Sequence, residues 1–405
     1  VSTLDLLLVV VGAFGVVIVA ISARLHQWPV SEPLIAIVAG VLLGPAVTGI
    51  LELPELTAEP SLLQHGAEVL LAVSVMGVAL RYPFAALRRN WRSLALLIGV
   101  VMPAMALVST GPAMWLLGTS FALALLLGAA VCPTDPVLES SAVTGLDAEE
   151  DLPKRDRQIL SLESGANDGL AMPLVLLALA VAGPLSAGQA VLESGWQVLG
   201  ALVVGVVGGV VAAKALHLAQ RHETTEQGPM LLYTILLALL VLGVCGLANL
   251  NGVFGAFCAG LAFNLVSTGA ERETEVQIDE AVNQFAVLPF FVALGAMLPW
   301  AEWRALGWTG VALAVAVLVL RRLPLILGLA RPLGMPLHSA AFLGWFGPVG
   351  VAAIFYLTME VEYGSVHPEI LAAGTLIVVA STLAHGISSA PGRAWFRKVE
   401  RARAD

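Results

Sequence analysis

Charge is scarce in this chain. Aspartate, glutamate, lysine and arginine make up 12% of its 405 residues, while 58% are hydrophobic; a soluble domain carries about 25% charged residues. No long polar stretch separates the apolar runs, which excludes a soluble protein of this length and leaves a polytopic membrane protein. Cysteine is also rare. Cys132, Cys245 and Cys258 all lie in apolar segments, with no CxxC pair, so neither a disulfide framework nor a thiol redox motif is expected. The sequence has no HExxH, GxSxG or phosphate-binding loop, and an intramembrane enzyme would have to rest on an aspartyl dyad alone. A carbonyl-lined filter loop is missing too, which argues against a cation channel. No cofactor and no nucleic-acid partner is expected. The apolar run 4–20 has no basic segment before it and reads as a first span, not a cleaved leader. The formal net charge of −9 says little, because the charges sit in short loops.

What is there is a series of apolar runs of about 20 residues, the length that crosses a bilayer. They predict thirteen spans, near 4–23, 32–51, 62–80, 93–117, 120–146, 159–182, 190–217, 230–249, 251–268, 281–299, 308–330, 337–359 and 366–390. The basic residues test this layout. Arg24, then Arg81, Arg88, Arg89 and Arg92, then Lys154, Arg155 and Arg157, then Lys214 and Arg221, then Arg272 and Arg331 all fall in odd-numbered loops. Arg393, Arg397, Lys398, Arg401 and Arg403 fall after the last span, and only Arg304 lies in an even loop. Even loops collect acid instead: Glu52, Glu55 and Glu59, then Glu360, Glu362 and Glu369. The positive-inside rule then puts the N-terminus outside and the C-terminus in the cytoplasm. Residues 1–390 read as one transmembrane domain and 391–405 as a short basic cytoplasmic tail that serves as an orientation signal.

A few spans carry what a membrane span should not. Residues 159–182 contain Glu163, Ser164, Asn167 and Asp168 within six positions. An ionisable residue at the bilayer centre costs roughly 2.5–3.5 kcal/mol on insertion scales, so these two carboxylates mark a place for a proton or a cation. Glu163 and Asn167 are four apart, as are Ser164 and Asp168, so each pair shares a helix face. Asp168 is the candidate carrier. Desolvation favours the protonated form of a carboxylate, and such a group holds either a proton or a small cation but hardly both, which is itself an exchange mechanism. Thr134, Asp135 and Ser164 supply further oxygen for a hard monovalent ion such as Na+. Asn167 can orient Asp168 or brace opened backbone. Arg321 or Arg322 would neutralise Glu163, since a buried arginine stays charged and needs a partner, and the other of the two is expected at the cytoplasmic headgroups. Glu68 is a candidate accessory acceptor, Glu139 reads as structural or as part of a cytoplasmic funnel, and His385 as a satisfied polar residue.

Two spans are predicted to be broken. Pro133 and Pro136 bracket Thr134 and Asp135 in the fifth, and Gly344, Gly347, Pro348 and Gly350 interrupt the twelfth. Proline removes a backbone donor and clashes one turn back, and backbone that opens at membrane depth survives only where it is buried in protein or lines a cavity. The breaks lie seven spans apart, an odd offset that places them in opposite orientations. That is the pattern of two inverted repeats of about six helices with a central site.

The segments PTDPVLESS, LESGANDGLAMP, FFVALGAMLPW, RRLP and GWFGPVGVAAIF together resemble the cation/proton antiporters, most closely the fungal plasma-membrane Na+/H+ antiporters and their bacterial NhaP-like relatives. The resemblance covers about residues 5–390. It implies an all-α fold of about 13 transmembrane helices with crossed discontinuous helices, a core bundle from spans 4–6 and 11–13, and a homodimer built on the remaining spans. It implies a non-enzymatic exchanger of Na+ or Li+ for H+ that works by alternating access in the plasma membrane, in the service of pH homeostasis and salt tolerance; K+/H+ exchange is the nearest alternative. By the same resemblance Asp168 is the ion- and proton-binding carboxylate, with Thr134, Asp135 and Ser164 at ion-site positions and Glu68 at a more weakly shared one. Asn167 stands where the electrogenic branch has aspartate, which implies one proton per cation. Glu163 matches a glutamate that pairs with an arginine of span 11, Arg322 more readily than Arg321. The chain departs from many relatives at Phe346, Gly347 and Pro348, where they have Gly-Leu-Arg-Gly, and at Glu139, which replaces an uncharged residue. The long cytoplasmic tail of many eukaryotic members, and regulation through it, is expected to be missing.

Overall fold

Proline and glycine decide where the helices of this chain stop. The computed structural model describes residues 30–144, 146–222, 227–266 and 287–404, with isolated positions between 9 and 20. Most of the first predicted span, together with Arg24 and Arg272, lies outside the described residues. Regular structure among the described residues is helical. The helices are α1 (Glu32–Leu43), α2 (Ser61–Arg81), α3 (Phe84–Leu117), α4 (Phe121–Ala130), α5 (Pro136–Val143), α6 (Lys154–Ala182), α7 (Ala187–Arg221), α8 (Gln227–Leu247), α9 (Gly252–Val266), α10 (Val287–Ala296), α11 (Trp300–Leu320), α12 (Leu337–Trp345), α13 (Val351–Glu362) and α14 (Pro368–Ala404). Short helices Leu146–Asp151 and Leu323–Gly328 stand between them. Six of the described helical stretches are long and apolar enough to cross a membrane.

Small residues let these helices approach closely, as membrane helices do in the absence of a hydrophobic drive between them. A Cβ at Gly209 would collide with the carbonyl of Ala259, and one at Gly205 with that of Gly255, so α7 lies directly on α9. Gly40 and Gly295 bring α1 against α10 in the same way. The opposite side of α7 stays apolar and open, with Leu192, Leu199 and Val203 exposed.

Both predicted breaks are present, since α4 stops at Ala130 and α5 starts at Pro136, while α12 stops at Trp345 and α13 starts at Val351. The two interruptions touch, because the Asp135 N–H donates to Pro348 O at 3.0 Å. Gly347 and Gly350 are required by this closeness: a Cβ on the first would strike the Arg322 side chain, and one on the second the Asp135 carboxylate. A third break was not foreseen. Span 11 parts between Leu320 and Leu323, and the two residues in the gap are Arg321 and Arg322.

Residues 391–404, expected to be a separate tail, continue α14 instead. Their inner face is packed. Phe396 is fully buried, its ring centroid 5.4 Å from Phe342 and 5.1 Å from His338. Arg397 pairs with Asp151 at 3.0 Å, and Glu400 with His338 Nε2 at 2.7 Å, while Arg403 Nη1 lies 2.9 Å from His338 Nδ1. The end of the last helix therefore grips the first turn of α12.

Candidate functional site

Helix ends carry partial charge, positive at the N-terminus and negative at the C-terminus, because the terminal N–H and C=O groups have no intrahelical partner. Two broken helices meeting inside a protein concentrate four such ends, and two side chains answer them. Asp135 caps the two starts. Its Oδ1 accepts from Val137 N at 2.8 Å and Leu138 N at 3.1 Å on α5, and its Oδ2 accepts from Val351 N on α13. Arg321 gathers the two stops. Its guanidinium donates to the carbonyls of Val131, Cys132 and Pro133 beyond α4, and to that of Gly347 beyond α12. Arg321 is 2% exposed, so the expectation that one arginine of the pair faces the headgroups is corrected. The carbonyls, not a lipid or a carboxylate, are its partners. Asp135, expected among the ion's ligands, is first of all a shared helix cap.

The second break has further supports. Ser381 of α14 accepts from Val349 N at 2.8 Å, and His385 reaches the Trp345 carbonyl at 2.8 Å and Ser381 O at 2.8 Å. His385 is thus a satisfied brace.

Helix α6 closes the first break from the other side. Asn167 Oδ1 accepts from Thr134 N at 3.1 Å, and Asn167 Nδ2 donates to Thr134 Oγ1 at 2.8 Å and to Glu163 Oε1 at 2.9 Å. Ser164 Oγ donates to Thr134 O at 2.8 Å. These three α6 residues lie three and four apart, on one face. Glu163 in turn takes both prongs of Arg322, Nη1 to Oε1 at 2.9 Å and Nη2 to Oε2 at 2.8 Å. A two-pronged pair of this kind is among the stronger charge-assisted contacts. Arg322 Nε donates to Leu343 O at 3.0 Å, tying α6 and the span-11 gap to α12.

Asp168 stands apart from all this. It is fully buried, and neither carboxylate oxygen has a hydrogen-bond partner among the described residues. The charged groups that act on it are the carboxylates of Asp135, Glu139 and Glu163. Both nearby arginines are spent elsewhere. Its backbone is held firmly, since Tyr356 of α13 donates to the Asp168 carbonyl. Glu139 lies one turn past Asp135, buried, and Ser161 Oγ donates to its Oε1 at 3.3 Å. Glu68 is not brought to the crossing. It is half-buried on α2, and the charges that act on it are His65 and Glu362.

Arg321, Tyr356 and Ser381 as supports were missed in the sequence. Tyr356 had a signal, as a lone hydroxyl in the apolar run VAAIFYL, and so did Ser381 in the polar patch STLAH.

Interrupted helices that meet inside the protein, with an unpaired carboxylate beside the crossing, are the arrangement around which broken-helix transporters build a central site. Comparison with known proteins narrows this. The family model for the sodium/hydrogen exchanger transmembrane region matches residues 10–392, and the chain belongs to that family. It is 30% identical over 362 residues to Na(+)/H(+) antiporter 2 of Zygosaccharomyces rouxii, covering 85% of this chain and 44% of that one. It is 30% identical over 356 residues to a probable Na(+)/H(+) antiporter of Schizosaccharomyces pombe, covering 84% of this chain and 47% of that one. The chain thus spans less than half the length of these curated relatives. The solved sodium proton antiporter MjNhaP1 from Methanocaldococcus jannaschii shares the fold, with a TM-score of 0.78 at 16% identity over 98% of this chain and 99% of that one.

Proposed function

We propose that this chain exchanges Na+ or Li+ for H+ across a cell membrane, one for one, with Asp168 as the group that carries either ion. The observation that carries this reading is the unpaired, fully buried Asp168 carboxylate. A bare buried anion is too costly to persist, so this group is a proton acceptor or a cation ligand at all times. The Thr134 and Ser164 hydroxyls, and the lone pair left on Asp135 Oδ2, complete an all-oxygen set suited to a small hard cation. One carboxylate that alternates between one proton and one monovalent cation moves no net charge.

Alternating access follows from the two caps. Asp135 and Arg321 bind the four helix ends into one body, so α3–α6 and α11–α14 move together as a core bundle. The remaining helices form the scaffold, and the open apolar face of α7 suits lipid or a second copy of the chain. α5 and α13 both start at the Asp135 carboxylate, and two inverted repeats would send them from it in opposite senses. With the basic loops facing the cytoplasm, the Lys154 end of α6 is the inner end.

Proton flux in proteoliposomes tests the reading. Na+ and Li+ should dissipate an imposed pH gradient, K+ should not, and a voltage clamp with valinomycin should leave the rate unchanged. A K+-driven response would make the chain a K+/H+ exchanger, and acceleration by the clamp would overturn electroneutrality.

Asn167 allows a sharper test. Aspartate there would not simply add a second proton carrier. It would lose both amide donors and set a carboxylate oxygen against Glu163 Oε1, now 2.9 Å away. Asn167→Asp is therefore expected to lower stability by about 1–3 kcal/mol, the cost of buried polar groups left unpaired, and to slow exchange without creating voltage dependence. A stable variant accelerated by valinomycin would show that the amide is not needed as a donor.

A further inference from the structure

Glu139 is a second buried carboxylate near the crossing whose partners are incomplete. It is 1% exposed. Ser161 Oγ donates to Oε1 at 3.3 Å, and Oε2 is buried without a hydrogen-bond partner among the described residues. Neither arginine bonds to it. The Arg322 prongs are taken by Glu163, and the Arg321 guanidinium by four carbonyls.

Its position along the bundle is informative. Glu139 is four residues past Asp135 on α5, about 6 Å along the axis, and Ser161 is seven residues before Asp168 on α6, about 10 Å. Both displacements run toward the Lys154 end of α6. Lys154 itself is another seven residues on, so Glu139 and Ser161 lie about midway between Asp168 and that end. Ser164 stands between the two levels. Its hydroxyl gives its proton to Thr134 O, which leaves its lone pairs free, and it also lies in reach of the Glu139 carboxylate.

We propose that Glu139, Ser161 and Ser164 form a second monovalent-cation position, an inner station on the path between Asp168 and the Lys154 end. This rests on the transport reading above. The chemistry is that of oxygen donors alone. Glu139 Oε2 supplies the charge, the Ser161 hydroxyl turns from its bond with Oε1 to offer a lone pair, and Ser164 is shared with the outer position. An ion leaving Asp168 then exchanges one carboxylate for another within about 10 Å along the axis, with Ser164 between the two levels. No bond is made or broken and no proton is required to move.

The test is Tl+, a monovalent cation visible by its anomalous scattering, soaked into crystals of the full chain. Two peaks are expected, one at Asp168 and one within about 3 Å of Glu139 Oε2, a contact distance for a large cation bound by oxygen. In Glu139→Gln, which keeps the shape and the Ser161 contact, the inner peak should vanish and the Asp168 peak stay. The same variant in proteoliposomes should raise KM for Na+ about tenfold, with kcat within about twofold of the parent. A peak at Asp168 alone, or an unchanged KM, overturns the inner station and leaves the transport reading standing. Absence of Tl+ at both carboxylates overturns both.

Discussion

Asp168→Asn is expected to abolish exchange while leaving the protein folded. The substitution keeps the shape of the side chain and removes the one property the reading needs, a carboxylate able to hold a proton or a cation. Asp168 makes no side-chain hydrogen bond among the described residues, so nothing structural is lost with its charge. The charged groups that act on it among the described residues are carboxylates, so a neutral amide there breaks no ion pair. In proteoliposomes with an imposed Na+ gradient and a pH-sensitive dye, the variant should fall at least about a hundredfold below the parent, a loss of roughly 2.7 kcal/mol in the barrier. Its thermal midpoint in detergent should match or exceed that of the parent. Retained pH-dependent exchange would sink the assignment.

Arg322→Ala should have the largest effect on stability. It strips both prongs from Glu163, which is fully buried, and frees the Leu343 carbonyl. Removing one partner of a buried pair costs about 3–5 kcal/mol, because the other charge is left unpaired. Removing both costs far less. Glu163→Gln combined with Arg322→Gln should therefore recover much of the loss seen in Arg322→Ala alone, read as thermal midpoints in detergent. Additive losses in the double variant would mean that the two residues act separately and that their contact contributes little.

The breaks were legible because proline chemistry is local. Pro133, Pro136 and Pro348 cannot sit in an unbroken helix whatever surrounds them. LESGANDG was legible because charge in an apolar span is conspicuous at any level of folding. The role of Asp135 as a cap was half visible, since Asp before Pro is a familiar helix start; that it caps a second helix 216 residues away is a tertiary fact. Arg321 was misplaced for the same reason. An arginine near a span end reads as a headgroup contact, and only the crossing reveals four carbonyls that need a donor. Where Glu68 stands was not legible, because its span gives no hint of which way it faces; the charges that act on it are His65 and Glu362. The apolar runs set the order of the spans, and the family likeness pointed to the same carrier as the residues did, Asp168; it carried no signal for Glu139, where this chain departs from the pattern.

The grip of the last helix on α12 has a mechanical meaning. Phe396, Arg397 and Glu400 fasten the far end of α14 to His338 and to Asp151, and α12 leads straight to the break at Trp345. On the way the helix is stapled again, by Trp345 Nε1 to Ser388 Oγ at 2.9 Å and by His385. The segment is thus a handle on the crossing. A charge change or a pull applied around residues 393–403 would bear on α12, and through it on the break at Trp345, without touching Asp168.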